Sequence, residues 1–213
     1  MMKLYNYFRS SASFRVRSAL ELKGLDCEYV AVHIAWVDHR REPYAALCAD
    51  PLVPLLDVDG QTLSQSMAVI ECLDELHPAP RLLPADARDR AQVRALAQSI
   101  ACEIHPLNNL RVLQYLAREL KADDKAKSNW YRHWCRTGLQ AFERQLAQQA
   151  DATFCCGSAP TLADCCLVPQ LFNAARFNVS VDGLSRIRTA FDACIALPAF
   201  QRARPSACPD SPP

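Results

Sequence analysis

The feature that most constrains this chain is a change of periodicity about a third of the way along it. Before residue 77, short apolar runs alternate with stretches of helical spacing, punctuated by Gly24 and Asp59-Gly60. After residue 90, every periodic stretch is helical. Alternating strands and helices predict an α/β layer, whereas helices alone predict a bundle. A chain of 213 residues has room for one of each.

Lys3 to Phe8 is aromatic with a period of two, and reads as a strand. From Ser13 to Gly24, the positions Val16, Ala19, Leu20 and Lys23 fall on one helical face, and Gly24 is the residue type that ends a helix. Cys27 to Ile34 is apolar and β-branched, a second strand that pairs in parallel through a right-handed crossover. A weaker helical pattern covers His39 to Leu47. The strands Leu55–Val58 and Gln61–Leu63 are joined by Asp59-Gly60, a strong hairpin signal. Ser66 is the expected cap of a helix from Met67 to Leu76, which stops before Pro78. The order β-α-β-α-β-β-α fits a thioredoxin-like domain, one candidate among several α/β folds.

Residues 77 to 88 are Pro-rich and aperiodic. They set the expected organisation: an α/β domain over 1–80, a linker over 81–89 and an all-helical domain over 90–213. Within the last, helices are predicted over Arg90–Leu120, interrupted at His105-Pro106, then over Asn129–Gln149 and about Ser185–Ala196. Thr161 and Asp164 form a capping box that opens a helix running through Phe172, too apolar to face water. The tail after Arg202, with four prolines, is expected to be loose.

Lys and Arg number 24 against 23 Asp and Glu, so no long-range field favours nucleic acid or an anionic membrane. Any anion must be recognised locally, by individually placed arginines. No signal-like apolar run opens the sequence and none approaches the roughly 20 residues of a membrane span. The expectation is a cytoplasmic protein with reduced thiols. Its eleven cysteines contain no C-x-x-C spacing. The doublets Cys155-Cys156 and Cys165-Cys166 could in principle gather a soft metal, but the spacing is poor for ligation. No metal site is expected, and most cysteines read as small apolar side chains.

Three places could carry chemistry. Arg9-Ser10-Ser11-Ala12-Ser13 lies between the first strand and first helix, where ligands of α/β units gather and helix amides favour an anion or thiolate. Hydroxyls there could lower a thiol pKa, or simply cap the helix. The Val53-Pro54 bond could be cis and expose the Val53 backbone, although the base rate for X-Pro bonds favours trans. Gln65-Ser66 sits at a hairpin exit, and Ser66 could cap the helix or bind a carboxylate.

Taken together, these places resemble the glutathione transferase family. The segment FRSSASFRVRSALELKG is similar to the zeta-class motif S-S-C-S-x-R-V-R-x-A-L. The likeness continues through LLPAD, IHPLNNLRVLQYL, TLADCCLVPQ and ARFNV, and covers nearly the whole chain. Within the class, His105 and Arg111 look most like the bacterial maleylpyruvate isomerases, near relatives of the maleylacetoacetate isomerases. The resemblance implies a thioredoxin-like domain followed by an all-α domain, with glutathione as cofactor. Ser10 and Ser11 would face its sulfur, Val53 would pair with its cysteinyl backbone, and Gln65 and Ser66 would hold its γ-glutamyl end. His39, His105 and Asn109 match positions that touch glutathione in the bacterial relatives. Arg9, Arg111 and Arg176 would meet the carboxylates of a small dicarboxylic oxo-acid, with Arg9 also near the chemistry. A homodimer is implied as well.

Two departures stand out. Ala12 replaces the usual Cys or Thr, which leaves the sulfur to Ser10, Ser11 and nearby amides. Cys48-Ala49 replaces the usual Asn-Pro before the Val-Pro loop. The reaction implied is reversible thiolate addition to a cis double bond, converting maleylpyruvate to fumarylpyruvate. Its rivals are maleylacetoacetate isomerisation, irreversible glutathione conjugation, and a non-catalytic binding module on the same fold.

Overall fold

The computed structural model describes residues 1–34, 38–48, 50 and 52–212. The chain divides into two compact units: Met1–Leu83 with Ile195–Pro213, and Pro84–Cys194. The sequence boundaries assigned everything from 90 to 213 to the helical domain. The chain from Ile195 onward instead clusters with the first unit.

The first unit is built on a four-stranded sheet in the order β2-β1-β3-β4, with β1 at Met2–Asn6, β2 at Glu28–Ala31, β3 at Leu55–Val58 and β4 at Gln61–Ser64. β1 runs parallel to β2, with Leu4 opposite Tyr29, and antiparallel to β3, with Leu4 opposite Leu56. The connection between the parallel strands is helix α1, Ser11–Lys23. Gly24 ends it at φ 63°, ψ 34°, the left-handed conformation glycine adopts without a Cβ penalty. Asp59 and Gly60 both take positive φ, 51° and 89°, as a two-residue hairpin turn requires.

Of the four predicted strands, β1 and β2 are shorter than their apolar runs. β1 stops at Asn6, and Tyr7 and Phe8 turn away into a core cluster with Val32, Tyr44, Cys48, Val53, Leu55 and Cys208. The predicted helix over 39–47 is a 3-10 turn at Asp38–Arg40 and a single turn, α2, at Tyr44–Leu47. Pro43 stands immediately before α2, and it lacks the N–H that would join the two pieces. Helix α3 covers Ser66–Leu76. Gln65, not Ser66, holds its cap position, and Ser66 is the first helical residue.

Charged residues inside this unit hold its connections. The Lys23 ammonium, fully buried, lies 2.6 Å from Asp74 and donates to the carbonyls of His77 and Pro80. Asp74 in turn accepts from the amides of Leu82 and Leu83. One ion pair therefore fastens the end of α1 to α3 and to the Pro-rich segment, with every partner hydrogen-bonded, as a buried pair needs.

In the second unit, α4 (Ala87–Gln98) is capped by Asp86 and passes into a π-helical turn at Ser99–Ile104. The interruption expected at His105-Pro106 within 90–120 is present: His105–Asn109 is irregular, and α5 (Leu110–Arg118) restarts on an Asn109 cap. Helix α6 is Asp124–Ala147, started earlier than its apolar pattern by an Asp123 cap. At Gly138 a Cβ would lie 2.3 Å from Ile104 Cγ1, so only glycine lets α6 approach the π turn this closely.

Helix α7 (Leu162–Arg176) is buried along most of its length, including Pro169. At its start the Asp164 carboxylate accepts from the Thr161 amide and hydroxyl and from the Cys155 amide. Burial raises the pKa of this carboxyl, while these hydrogen bonds oppose the rise. Helix α8 is Ser185–Ile195 and α9 is Pro198–Ala203. Cysteines 135, 155, 165, 166 and 194 are buried in the helical unit, and 48 and 208 in the first. They fill space as small apolar groups do.

The tail expected to be loose is docked. α9 packs on α1, Cys208 is buried in the Tyr7–Phe8 cluster, and Asp210 accepts hydrogen bonds from the Phe8 amide and the Tyr29 hydroxyl. Four prolines limit helix length without preventing packing.

Candidate active site

In the first unit most of the candidate positions lie at two helix starts. Ser10 caps α1: its backbone is extended at φ −69°, ψ 116°, and its Oγ accepts the Ser13 amide at 3.2 Å. That bond uses an oxygen lone pair and leaves the hydroxyl proton to donate elsewhere. The capping and sulfur-facing roles weighed for this serine are therefore compatible. Ser11 is the first residue of α1 and is buried, while Ala12 behind it offers no polar group. Helix starts concentrate outward amides and the positive end of the macrodipole. Arg9 projects as an exposed side chain just before the cap, with its guanidinium 5.2 Å from the Phe8 ring centroid.

The second helix start belongs to α3. Gln65 stands at φ 70°, ψ 110°, a conformation a non-glycine residue holds only when its surroundings impose it. Such outliers cluster where a site requires them. Ser66, buried, accepts a hydrogen bond from Arg15 Nη1 at 3.3 Å. With its oxygen engaged, the Ser66 proton is left to donate, and a carboxylate would complete the set beside a fixed positive charge.

Arg15 and Arg17 carry charge on the first turns of α1. Both are buried, at 2% and 6% exposure, and both reach the site's supports. Arg17 donates to Asn6 Oδ1, the carbonyls of Tyr7 and Phe8, and the carbonyl of Ala203. Only the alternation Arg-Val-Arg hinted at this, since charged residues in a helix are usually exposed.

Val53 is buried in the Tyr7–Phe8 cluster, and the bond to Pro54 is cis, against the base rate. The departure at Ala49 falls outside the described residues; Cys48 is buried and its thiol donates to the Asp50 carbonyl. His39 sits on the 3-10 turn, partly buried, with its Nδ1 making no hydrogen bond among the described residues. Burial, reinforced by Arg40, lowers its pKa, which favours the neutral ring.

In the second unit, His105 Nε2 and Asn109 Nδ2 lie 3.4 Å apart in the irregular segment between the π turn and α5. Asn109 Oδ1 also accepts the Arg111 amide, fixing the first turn of α5. Asn108, which the sequence reading passed over, buries both amide heteroatoms without a hydrogen-bond partner among the described residues. Arg111 is exposed on α5. Arg176, exposed in the last turn of α7, lies 5.8 Å from the Phe177 ring and bonds Asn173 Oδ1 at 3.4 Å. Phe177 stacks on Tyr131 and lines an open pocket of about 380 Å³ with Leu110, Leu113 and Ala117.

Comparison with known proteins finds relatives along nearly the whole chain. The family model for the glutathione S-transferase N-terminal domain matches residues 4–81, and that for the C-terminal domain matches residues 135–202. A maleylpyruvate isomerase of a Ralstonia species is 47% identical, spanning 99% of this chain and all of its own. A holo structure of a maleylpyruvate isomerase, described as a bacterial zeta-class glutathione S-transferase, superposes with a TM-score of 0.96 at 47% identity, covering 99% of this chain and 100% of its own. A maleylacetoacetate isomerase of Anaeromyxobacter dehalogenans, with glutathione bound in its active site, superposes at 0.90 with 42% identity, covering 100% of this chain and 98% of its own. The two capped helix starts, the sheet that carries them and the helical unit are thus those of a known architecture, and the chain belongs to the zeta class of the glutathione S-transferase family.

Proposed function

We propose that this protein is a glutathione-dependent cis–trans isomerase that converts maleylpyruvate to fumarylpyruvate. The observation that carries the reading is the start of α1. Arg9 stands exposed beside Ser10, whose oxygen is engaged and whose proton is left to donate, in a chain 47% identical over its length to a maleylpyruvate isomerase.

When bound, glutathione supplies a thiolate able to add to, and depart from, a conjugated cis double bond. The chain's own residues make that sulfur ionise and hold the acid that reacts with it. Ser10 and Ser11 stabilise negative charge at the start of α1, with Ala12 contributing nothing, so the serines carry a larger share here. Ser66, backed by Arg15, holds the γ-glutamyl carboxylate, and Gln65 and Val53 fix the peptide-like body. His39, held neutral, serves as a hydrogen-bonding group rather than a charge. His105 and Asn109 contact glutathione as one hydrogen-bonded pair.

Arg9, Arg111 and Arg176 bind the substrate's carboxylates, for which a planar guanidinium is suited because it pairs bidentately and keeps its charge. Arg9 also faces the charge that develops on the substrate's oxygen, where a fixed cation lowers the barrier. The protein acts as a cytoplasmic homodimer. No described helix is long and apolar enough to cross a membrane.

The test is turnover of maleylpyruvate with and without glutathione, alongside maleylacetoacetate. Faster turnover of maleylacetoacetate would move the assignment to the longer substrate, and thiol consumption would indicate conjugation instead.

A further inference from the structure

The loop that carries Arg9 and Ser10 has left the sheet, and its backbone groups need other partners. Ladder pairing of β1 ends with Asn6, whose carbonyl accepts the Val32 amide. Beyond it, the Ser10 amide turns back to the Tyr7 carbonyl at 2.9 Å. Phe8 is held from both sides. Its carbonyl accepts from Arg17 Nη2 at 3.1 Å, and its amide donates to Asp210 Oδ2 at 3.2 Å, across a separation of 202 residues.

We propose that Asp210 is a positioning residue for this loop, so that the tail of the chain sets the placement of Ser10 and Arg9. The inference rests on the role given above to the start of α1. Three observations carry it. The second Asp210 oxygen accepts the Tyr29 hydroxyl, which orients the carboxylate from the sheet. Two residues earlier, Cys208 is buried against Tyr7 and Phe8 themselves. Arg17 grips loop and tail together, donating to the Phe8 carbonyl and, at 2.9 Å, to the Ala203 carbonyl. A charge-assisted bond to a backbone amide is among the stronger fixings available to a loop. Ser10 is two residues from that bond, and placement errors of about 1 Å can cost about a hundredfold in rate.

The variants are Asp210→Ala, Asp210→Asn, which keeps one acceptor oxygen, and Tyr29→Phe, which frees the carboxylate from the sheet. Three quantities are read: the pH midpoint for ionisation of bound glutathione, kcat/KM, and hydrogen exchange of the amides of residues 8 to 10. Asp210→Ala is expected to raise the midpoint by about one pH unit, to lower kcat/KM about tenfold and to speed exchange about tenfold. Asp210→Asn should recover part of each loss, and Tyr29→Phe should shift all three less in the same direction. Glu21→Ala, which cuts the exposed tie from Glu21 to Arg202 in α9, should leave them unchanged.

A wild-type midpoint and kcat/KM in the Asp210 variants overturns the proposal, even if exchange quickens or the melting temperature falls, because the tail then only stabilises the fold. If Asp210→Ala does not fold, the same comparison on Asp210→Asn and Tyr29→Phe decides. Wild-type protein that ionises glutathione but isomerises no cis dicarboxylate would remove the reaction proposed above, while the midpoint and the exchange rates would still decide the role of Asp210.

Discussion

The charged side chains that brace the first unit and the arginines proposed to meet substrate in the second are placed in opposite ways. In the first, Arg15 and Arg17 are buried and bonded to the Ser66 hydroxyl and the Phe8 carbonyl beside the candidate site, while Lys23 and Asp74 are buried as a pair at the far end of α1. In the second, Arg111 and Arg176 stand exposed on the ends of helices. A sulfur that must be ionised at neutral pH needs donors fixed in advance, because preorganised dipoles stabilise charge without reorganising. A carboxylate arriving from solvent can be met by a mobile guanidinium. On the proposed reading, the buried residues of the first unit set reactivity, while the exposed arginines Arg9, Arg111 and Arg176 set substrate affinity.

The largest expected effect tests the buried side of that contrast. Lys23→Met should destabilise the protein by about 3–5 kcal/mol, because Asp74 would remain buried without its cation. Denaturant unfolding measures it; a loss under about 1 kcal/mol would show the clamp to be dispensable. Ser10→Ala comes next. With Ala12 offering no substitute, kcat/KM should fall about a hundredfold, about 2.7 kcal/mol of transition-state stabilisation, and the thiol midpoint should rise. A loss seen only as a raised KM for glutathione, with kcat unchanged, would instead assign Ser10 to binding alone.

On the exposed side, Arg176→Ala should raise the KM for the dicarboxylic acid about tenfold, about 1.4 kcal/mol, while stability changes by less than about 0.5 kcal/mol. Arg176→Lys should restore only part of the affinity, since an ammonium lacks the planar fork. Unchanged KM in both Arg111→Ala and Arg176→Ala would break the division of labour. The smallest effect concerns His39. Burial favours its neutral form in the folded protein, so its titration midpoint by NMR should lie below the ordinary value of about 6.5. As pH falls through that range, the unfolded chain takes up the proton more readily, and the folded state loses stability toward acid.

What the sequence made legible was local. Gly24, Asp59-Gly60 and the Thr161–Asp164 box each announce themselves through a residue type that one backbone geometry demands. Ser10, Ser66 and Arg9 were legible only through the resemblance of their surroundings, since spacing alone favoured plain capping for Ser10 and made only a weak case for Ser66. What stayed hidden was long-range. Burial of Arg15 and Arg17 depends on carbonyls and hydroxyls that other elements bring to α1. Docking of the tail depends on Asp210 finding an amide at the other end of the chain. The strain at Gln65 and the close approach at Gly138 likewise exist only once α3 and α6 are packed. Periodicity carries no record of such partners.

The measurement that bears most directly on this account is spectrophotometric turnover of freshly prepared maleylpyruvate, with and without glutathione, with total thiol followed in parallel. The expected result is rapid conversion to fumarylpyruvate that requires glutathione and leaves the thiol concentration unchanged. Conversion without glutathione, or no conversion by protein that binds glutathione, would contradict it.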